Sequence, residues 1–411
     1  MKILHTSDWH LGKRLGPFSR IPEQRQVLEE ILEICRQEQP DLILVAGDLF
    51  DAFNPPNEAV ELLYSSLKKL TREGRCPVVA LAGNHDSPDR IEAPDPLARE
   101  CGIFFLGYPD TLPGPAELES GVRGTFLAPG LLELTLPSLS HPVRILCAPF
   151  ANEARLRRFL GQENREEALR KLLEESWGAL AGEHCDSRGV NLFAGHFFMT
   201  GRGDLFSQEQ EEPEGERPIL CPGGLDRLYT DNLPRQIQYA ALGHLHRYQE
   251  VPGGSVPAVY SGSPLAYSLS EADQEKYAVL VTAEPGKPAS FRKLPLSSGR
   301  PIFRMTFDTE DQGLAWLEAH PDCWVEITLK TDDYIRSETK RKFLEAHDGI
   351  LELNLQRSTR ADDSDRGAAA DPGRSVRDLF VDYFKEQNGG VEPGEELLEL
   401  FSQLLAREEG E

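Results

Sequence analysis

Short apolar runs recur along the first 300 residues, and polar residues capable of chemistry follow several of them. The clearest run, 42–46, is five consecutive apolar residues rich in branched side chains, which predicts a strand buried on both faces. It ends at Gly47, and the carboxylate of Asp48 comes directly after it. Because ligands bind beyond the carboxyl ends of strands in open α/β sheets, we expect a functional site where this strand ends.

Helical periodicity alternates with these runs. Segments 22–38 and 56–71 place their apolar residues on one stripe at helical spacing, between strands predicted at 2–6, 41–46 and 77–81. Further strands are predicted at 103–106, 125–127, 132–136, 143–147, 190–194, 237–242, 258–264 and 277–281, with a charged helical segment at 151–182. Strands and helices that alternate in this way predict an α/β fold with a site along the rim of its sheet.

The pattern changes near 297–301, beyond which a smaller set of elements begins. Strands at 303–307, 324–329 and 350–355, with helices at 311–319 and 337–346, predict a small βαβαβ domain. The polar, Ala/Gly/Asp-rich stretch after it is typical of a linker, and two amphipathic helices end the chain. We therefore expect a main domain over 1–298, a small α/β domain over 299–356, a linker over 357–374 and a helical tail over 375–411.

Composition sets limits on the function. The mixture of 39% apolar and 27% charged residues is that of an ordinary globular protein, and no apolar run approaches the ~18 residues of a membrane span. Seven dispersed cysteines without a Cys-x-x-Cys pair, together with a polar start, indicate reduced thiols and a cytoplasmic protein. The net charge of −24 is unfavourable for a simple nucleic-acid binder, whose affinity normally comes from a basic surface.

Seven potential metal ligands lie within about two residues of predicted strand ends. They are Asp8, His10, Asp48, Asn84, His196, His244 and His246. Residues i and i+2 of an extended chain point the same way, so Asp8 and His10 are expected to converge, as are His244 and His246. Carboxylate, imidazole and amide ligands together suit Mn²⁺, Fe or Zn²⁺. Seven ligands are too many for one tetrahedral ion but suit two ions that share a carboxylate, an arrangement used for phosphoester hydrolysis.

His85 adjoins the candidate ligand Asn84, so its side chain should point in a different direction. We predict that it protonates the leaving oxygen or stabilises the transition state. The alternative is that it only orients a metal ligand, a role for which Asp51 and Asp86 are also candidates.

These motifs together resemble those of a known family. Asp8-x-His10, Gly47-Asp48, Gly83-Asn84-His85-Asp86, Gly195-His196 and Gly243-His244-x-His246 resemble the five motifs of the calcineurin-like metallophosphoesterases. Within that superfamily the chain is similar to the nuclease subunits of the bacterial SbcCD DNA-repair complexes. The features specific to this group are the stretches 6–12, 46–51, 242–246 and 260–264. The resemblance is strong over about 1–300 and loose over 300–355.

The resemblance implies a fold and a ligand set. The fold is a two-sheet sandwich flanked by helices, followed by a small capping domain. One ion is held by Asp8, His10, Asp48 and His246, and the other by Asp48, Asn84, His196 and His244. Asp48 bridges the two ions, and the metal is usually manganese.

The resemblance also implies activities and partners. The activities are 3′→5′ exonuclease action on duplex ends and endonuclease action on single strands and hairpins, gated by an SbcC-type ATPase. The family forms homodimers through helices, here 56–71 and the segment after Arg90. The tail helices would grip the coiled coil of the ATPase.

Two other functions are compatible with the same ligands. A phosphatase or small-molecule phosphodiesterase could use the site, although Asp51 is followed by Ala52-Phe53 and not by the Arg-Gly of protein phosphatases. A non-catalytic scaffold should lack ligands, and none is missing. If the substrate is DNA, basic clusters must offset the negative charge locally. The candidates are Lys13, Arg14, Arg20 and Arg25, and then Lys68, Lys69, Arg72 and Arg75.

Overall fold

The computed structural model describes residues 1–159, 164–201, 227–272, 274–330 and 337–356, and isolated residues between 380 and 401. The chain divides into two compact units, Met1–Arg300 and Pro301–Glu411. The boundary lies two residues beyond the end of the predicted main domain. The predicted linker, 357–374, lies outside the described residues, as does most of the predicted tail.

The first unit contains eighteen strands and six α-helices within its described residues. The strands are β1 (Lys2–Thr6), β2 (Arg14–Leu15), β3 (Phe18–Ser19), β4 (Leu42–Val45), β5 (Val78–Leu81), β6 (Ile103–Leu106), β7 (Ala116–Glu117), β8 (Arg123–Ala128), β9 (Leu131–Thr135), β10 (Val143–Ala148), β11 (Val190–His196), β12 (Met199–Thr200), β13 (Leu228–Tyr229), β14 (Tyr239–Gly243), β15 (Gln249–Val251), β16 (Ala258–Tyr260), β17 (Lys276–Thr282) and β18 (Ser290–Leu296). The helices are α1 (Ile21–Glu38), α2 (Asn57–Leu70), α3 (Pro88–Glu92), α4 (Asp95–Glu100), α5 (Glu153–Leu156) and α6 (Arg165–His184).

Two large sheets organise this unit. The first has six strands in the order β18-β17-β1-β4-β5-β6, and β1, β4, β5 and β6 run parallel. The second has eight strands in the order β15-β16-β14-β11-β10-β9-β8-β7, with a parallel centre of β10, β11, β14 and β16. Both sheets therefore bring the carboxyl ends of neighbouring parallel strands to one edge.

Side chains of β4 alternate between two apolar cores. Leu42 and Leu44 pack with residues of the second sheet, whereas Ile43 and Val45 pack with α1 and α2 on the outer face. On the other side of the sandwich, α6 packs Trp177 against the outer face of the second sheet. A strand covered by a sheet on one face and by helices on the other has to be apolar throughout. The predicted fold class, a two-sheet sandwich flanked by helices, is confirmed.

The predicted helical segment 151–182 differs from the structure. It contains the short helix α5 and the longer helix α6, with 160–163 between them outside the described residues. The sequence-based prediction also omitted β18, which pairs antiparallel with β17 at the edge of the first sheet.

The second unit contains the predicted βαβαβ arrangement. Its elements are β19 (Ile302–Phe307), α7 (Glu310–Ala319), β20 (Trp324–Lys330), α8 (Ser337–Ala346) and β21 (Ile350–Gln356). The three strands form a parallel sheet with β20 in the centre. Leu317 of α7 and Phe343 of α8 are buried in its core. In the predicted tail, the rings of Phe380 and Phe401 stack with their centroids 3.9 Å apart.

Two sequence expectations concern membranes and cysteines. Among the described residues, no helix is both long enough and apolar enough to cross a membrane. The six cysteines in the described part of the chain are free thiols.

Candidate metal centre

The seven predicted ligands lie at one end of five strands. β1, β4 and β5 of the first sheet lead into Asp8, His10, Asp48 and Asn84, and β11 and β14 of the second lead into His196, His244 and His246. Each of the seven is at most 8% exposed. The structure thus brings ligands from both sheets together in a buried site at the edge of the sandwich.

One group of ligand atoms comes from Asp8, His10 and His246. One carboxylate oxygen and two ring nitrogens of these residues all lie within 4.8 Å of one another. The Nε2 atoms of His10 and His246 are only 3.0 Å apart. Two ring nitrogens at this distance can offer their lone pairs to the same cation.

A second group forms around the side-chain oxygen of Asn84. This Oδ1 atom lies 2.8 Å from Nε2 of His196 and 3.0 Å from Nδ1 of His244. An amide oxygen and two imidazoles are a donor set that first-row transition metals accept.

Asp48 lies between the two groups. Its Oδ2 atom is 3.4 Å from Nε2 of His10 and 3.4 Å from Nε2 of His196. Its Oδ1 atom accepts a hydrogen bond from the backbone N–H of His85 at 2.9 Å. A single carboxylate oxygen is therefore equally close to a ligand from each group.

The backbone brings these residues together by a different route from the one expected. Asp8, His10, Asp48 and His244 have φ values of 54°, 42°, 48° and 106°, so they are not in extended chain. Asp8 and His10 converge as expected, although not through an extended chain. His244 and His246 fall in different ligand groups, the first beside Asn84 and the second beside Asp8 and His10. Non-glycine residues in this region of φ cost of order 1–3 kcal/mol each, and such strain is concentrated at functional sites.

Glycines before two of the ligands allow this close approach. A Cβ atom at Gly47, where φ is +93°, would lie 2.1 Å from Nδ1 of His196. A Cβ atom at Gly83 would lie 2.1 Å from Oδ1 of Asp48. Any larger residue at either position would displace a ligand.

Hydrogen bonds on the far side of two imidazoles determine which nitrogen faces the site. Nδ1 of His196 lies 2.8 Å from the carbonyl oxygen of Ala46, and Nδ1 of His246 lies 3.2 Å from Oε1 of Glu271. Both partners can only accept, so each Nδ1 carries a proton, and in the neutral ring Nε2 is the nitrogen with the lone pair. Glu271 also forms a 2.6 Å ion pair with the buried Lys276.

Sequence reasoning missed Glu271 and Lys276. They follow the last motif by 25 residues or more, and Glu271 ends a short 3-10 turn, Leu269–Glu271, that carries no motif. Burial alone would raise the pKa of Glu271, but the hydrogen bond from His246 and the ammonium of Lys276 hold it well below its usual range. The carboxylate is therefore ionised and holds His246 in the ligand-competent tautomer.

The electrostatics of the site favour a cation. Burial lowers the pKa of His10 to about 3, so this imidazole is neutral and can bind a metal. Without a cation, burial would also lower the pKa of His196, but the carboxylates of Asp48 and Asp8 raise it to about 9. A proton on Nε2 then supplies the positive charge that a bound metal ion would replace. Two carboxylates in a buried site thus stabilise positive charge beside them.

The spacing of the donors fits metal ions. Two ligands about 2.1 Å from one ion are separated by roughly 3–3.4 Å in octahedral or tetrahedral geometry. Nε2 of His10 lies 3.0 Å from Nε2 of His246 and 3.4 Å from Oδ2 of Asp48. Nε2 of His196 lies 2.8 Å from Oδ1 of Asn84 and 3.4 Å from Oδ2 of Asp48. The residues present therefore fit two divalent cations that share Asp48.

His85 lies beside this site. Its Nδ1 atom is 3.0 Å from the carbonyl oxygen of Asp51, so Nδ1 is the donor of that bond. Its buried Nε2 atom has no hydrogen-bond partner among the described residues. The ring packs edge to face against His10 with centroids 4.9 Å apart. The ring is therefore fixed through Nδ1, and Nε2 is left for a partner that the described residues do not supply.

Asp51 and Asp86 occupy supporting positions. Oδ1 of Asp51 lies 3.6 Å from Nδ1 of His10 and forms a 2.7 Å ion pair with Lys13. The carboxylate of Asp86 accepts hydrogen bonds from the backbone N–H groups of Leu49, Phe50 and Gly83, each at 2.9 Å. Asp86 thereby ties the loop after β4 to the loop after β5.

The family is established by comparison with known proteins. The sequence profile of the calcineurin-like phosphoesterases matches residues 1–248, which is more than half of the chain and includes all seven ligands. The chain belongs to the calcineurin-like phosphoesterases. The family resemblance inferred from the motifs is confirmed.

Curated members of the family extend the similarity to the whole chain. The chain is 36% identical to the SbcD component of the nuclease SbcCD from Bacillus subtilis (strain 168), over 100% of this chain and 99% of that one. It is 36% identical to the SbcD component from Rhodobacter capsulatus, over 74% of this chain and 71% of that one. It is 29% identical to the SbcD component from Escherichia coli (strain K12), over 93% of this chain and 91% of that one.

One expectation about the basic surface of this family member is wrong. Arg20 was expected to contribute to a basic patch, but it is only 1% exposed. Its guanidinium pairs with Glu23 and donates to the carbonyl oxygen of Ala266 at 2.9 Å. Arg20 therefore belongs to the interior of the fold and does not contribute to a basic surface.

Proposed function

We propose that this chain is the nuclease subunit of an SbcCD-type DNA-repair complex and hydrolyses phosphodiester bonds at a two-metal centre. The position of Asp48 is the observation that carries the proposal, since one of its oxygens is 3.4 Å from a histidine of each ligand group. The full-length similarity to a protein named as the SbcD component of the nuclease SbcCD supports DNA as the substrate.

The ligands divide between two ions. Asp8, His10, Asp48 and His246 hold one, while Asp48, Asn84, His196 and His244 hold the other. We propose manganese for both, because carboxylate, imidazole and amide oxygens together suit it. When bound, two such ions lower the pKa of a water molecule and stabilise charge on the attacking and leaving oxygens.

The chain's own residues then orient the substrate and move a proton. His85 donates through Nδ1 to the carbonyl of Asp51, which fixes the ring. In its imidazolium form the ring also carries a proton on Nε2, which it delivers to the leaving oxygen while it returns to the neutral form. Asp86 holds the loop that carries His85 by accepting hydrogen bonds from three backbone N–H groups. Burial of the site excludes bulk water and strengthens these interactions.

The proposal extends to activities and partners. The nuclease acts as a 3′→5′ exonuclease on duplex ends and as an endonuclease on single strands and hairpins, in the cytoplasm. It works as a homodimer through α2 and the segment after Arg90, under the control of an SbcC-type ATPase that binds the helical tail, 375–411. The stacked rings of Phe380 and Phe401 support a tail whose two helices pack together.

Hydrolysis assays with Mn²⁺ on four substrates test the proposal. These are duplex DNA, hairpin DNA, a chromogenic phosphodiester and a chromogenic phosphomonoester, each also tested with the Asp48→Asn variant. We expect cleavage of both DNAs and the diester, little action on the monoester, and loss of all activity in the variant. Preference for the monoester would identify a phosphatase, and inactivity of a chain with two bound ions would identify a scaffold.

A further inference from the structure

We propose that Arg155 is a positioning residue for the two-metal reaction, because its guanidinium holds the loop 83–86 that carries Asn84 and His85. The inference rests on the proposed function for its ligand assignment. Arg155 belongs to the short helix α5, far along the chain from every motif, and it is only 7% exposed.

The contacts of Arg155 converge on one loop. Its Nη1 atom donates to the carbonyl oxygen of Gly83 at 2.8 Å, and its Nη2 atom donates to that of Asp86 at 2.8 Å. Nη2 also lies 3.5 Å from the carbonyl oxygen of Asn84. A single cation therefore engages three of the four carbonyls in the loop.

The arginine is itself held rigidly. Its backbone N–H donates to the side-chain oxygen of Asn152 at 2.9 Å, which caps the first turn of α5. Its guanidinium also donates to the carbonyl of Phe150 at 3.3 Å and lies 5.0 Å from the centre of that ring. The segment that follows β10 thus fixes the position from which Arg155 holds the loop.

Only a guanidinium matches this set of acceptors. Its five N–H donors lie in a planar fork that can reach several carbonyls at once, whereas a lysine ammonium is a compact point charge on a flexible stem. The carboxylate of Asp86 accepts from the backbone N–H of Gly83 at the start of the same loop. The loop is therefore clamped between an anion that binds an N–H group and a cation that binds its carbonyls.

This geometry predicts a larger effect on one metal ion than on the other. Among the seven proposed ligands, only Asn84 is carried by the loop, and it belongs to the group with His196 and His244. Loss of the guanidinium should lower the binding affinity for that ion by ~10–100-fold, the usual effect of removing a group that orients a ligand. Binding of the ion held by Asp8, His10 and His246 should change much less, because the loop reaches that ion only through the hydrogen bond from the backbone N–H of His85 to the shared Asp48.

Titration of the full chain with Mn²⁺ tests this prediction. Calorimetry measures the binding steps, and electron paramagnetic resonance detects whether the bound ions are coupled. Arg155→Met should retain one binding step, lose most of the other and show uncoupled Mn²⁺ where the parent shows a coupled pair. Arg155→Lys should bind the ion held by Asn84 with an affinity between those of the parent and Arg155→Met. Arg158→Met is the matched control, because Arg158 is exposed and, in the described part of the chain, makes no hydrogen bond to 83–86. It should bind both ions normally.

A double-mutant cycle with Asn84→Ala decides whether Arg155 acts through this ligand. If it does, adding Arg155→Met to the Asn84→Ala chain should change metal binding by no more than about twofold. Two intact binding steps in Arg155→Met, or additive losses in the cycle, would overturn the proposal. So would equal weakening of both ions in the Arg155→Lys chain, which would indicate a general folding role. A parent chain that bound fewer than two ions would instead refute the proposed function.

Discussion

At the scale of single residues, the site depends on where individual lone pairs point. Oδ2 of Asp48 is equally distant from His10 and His196, while Ala46 and Glu271 keep the outer nitrogens of His196 and His246 protonated. The buried site thus presents lone pairs to a common centre. That arrangement would be costly unless a cation were bound there.

Replacement of the bridging carboxylate should affect both ions. Asp48→Asn should weaken both Mn²⁺ binding steps, because the amide lacks the charge that stabilises each ion. His246→Gln should weaken only one step, since His246 contacts one ligand group. Calorimetric titration with Mn²⁺ measures both steps. Two unchanged binding steps in Asp48→Asn would show that this residue does not bridge.

Replacement of His85 should separate chemistry from metal binding. His85→Ser should bind two ions normally, because His85 is not in the ligand set. Cleavage of the chromogenic diester should fall by ~10²–10⁴-fold, the typical contribution of a positioned proton donor. A fully metallated His85→Ser chain with near-normal cleavage would exclude the proton-donor role, and metal loss would assign His85 to orienting a ligand.

At the scale of secondary structure, the strands that position the site could be predicted and the supporting residues could not. β4 and β5 are continuous apolar runs, so both the strands and the polar residues beyond them were evident. β18 was missed because it is an edge strand with exposed Arg292 and Lys293 and a proline. Arg155 and Glu271 act through contacts distant in sequence, and a single sequence carries no local signal for these.

His5 of β1 connects the two sheets and should make stability depend on pH. Its Nδ1 atom lies 3.0 Å from the hydroxyl of Tyr239 and its Nε2 atom 3.2 Å from the carbonyl of Leu242, both in β14. Burial lowers the pKa of His5 to about 3, although the Leu242 carbonyl favours the protonated form. The unfolded chain takes up a proton below about pH 6.5 and the folded chain does not. The free energy of unfolding should therefore fall as the pH drops below about 6.5.

Urea unfolding at pH 7.5 and pH 5.5, in the presence of a chelator, measures this effect. His5 should lower the free energy of unfolding by about 1.4 kcal/mol at pH 5.5. His5→Gln can still form hydrogen bonds but does not titrate, so its pH dependence should be smaller by that amount. An identical pH dependence in both proteins would show that His5 is not held neutral.

At the scale of the whole molecule, the ligands and the proposed partner-binding segment lie in different parts of the chain. All seven ligands fall within the first 246 residues, whereas 375–411 carries ten acidic and three basic residues. Part of the net charge of −24 is therefore remote in sequence from the metal centre. A partner of the tail should present a basic surface, and its binding should weaken as salt increases.

Truncation after Arg374 should separate assembly from catalysis. The shortened chain should no longer co-purify with the ATPase, because it lacks both tail helices. It should still hydrolyse the chromogenic diester with Mn²⁺ at the rate of the full chain, since it keeps every proposed ligand. Undiminished complex formation by an active truncated chain would show that the tail does not bind the ATPase.

Two Mn²⁺ ions that share Asp48 are proposed to carry out phosphodiester hydrolysis. The most direct measurement follows hairpin-DNA cleavage and the number of bound Mn²⁺ ions together, as metal is returned to chelator-treated protein. We predict two ions per chain, negligible cleavage with the first ion alone and activity that rises in proportion to occupancy of the second. Full activity with one bound ion, or two bound ions without cleavage, would contradict the account.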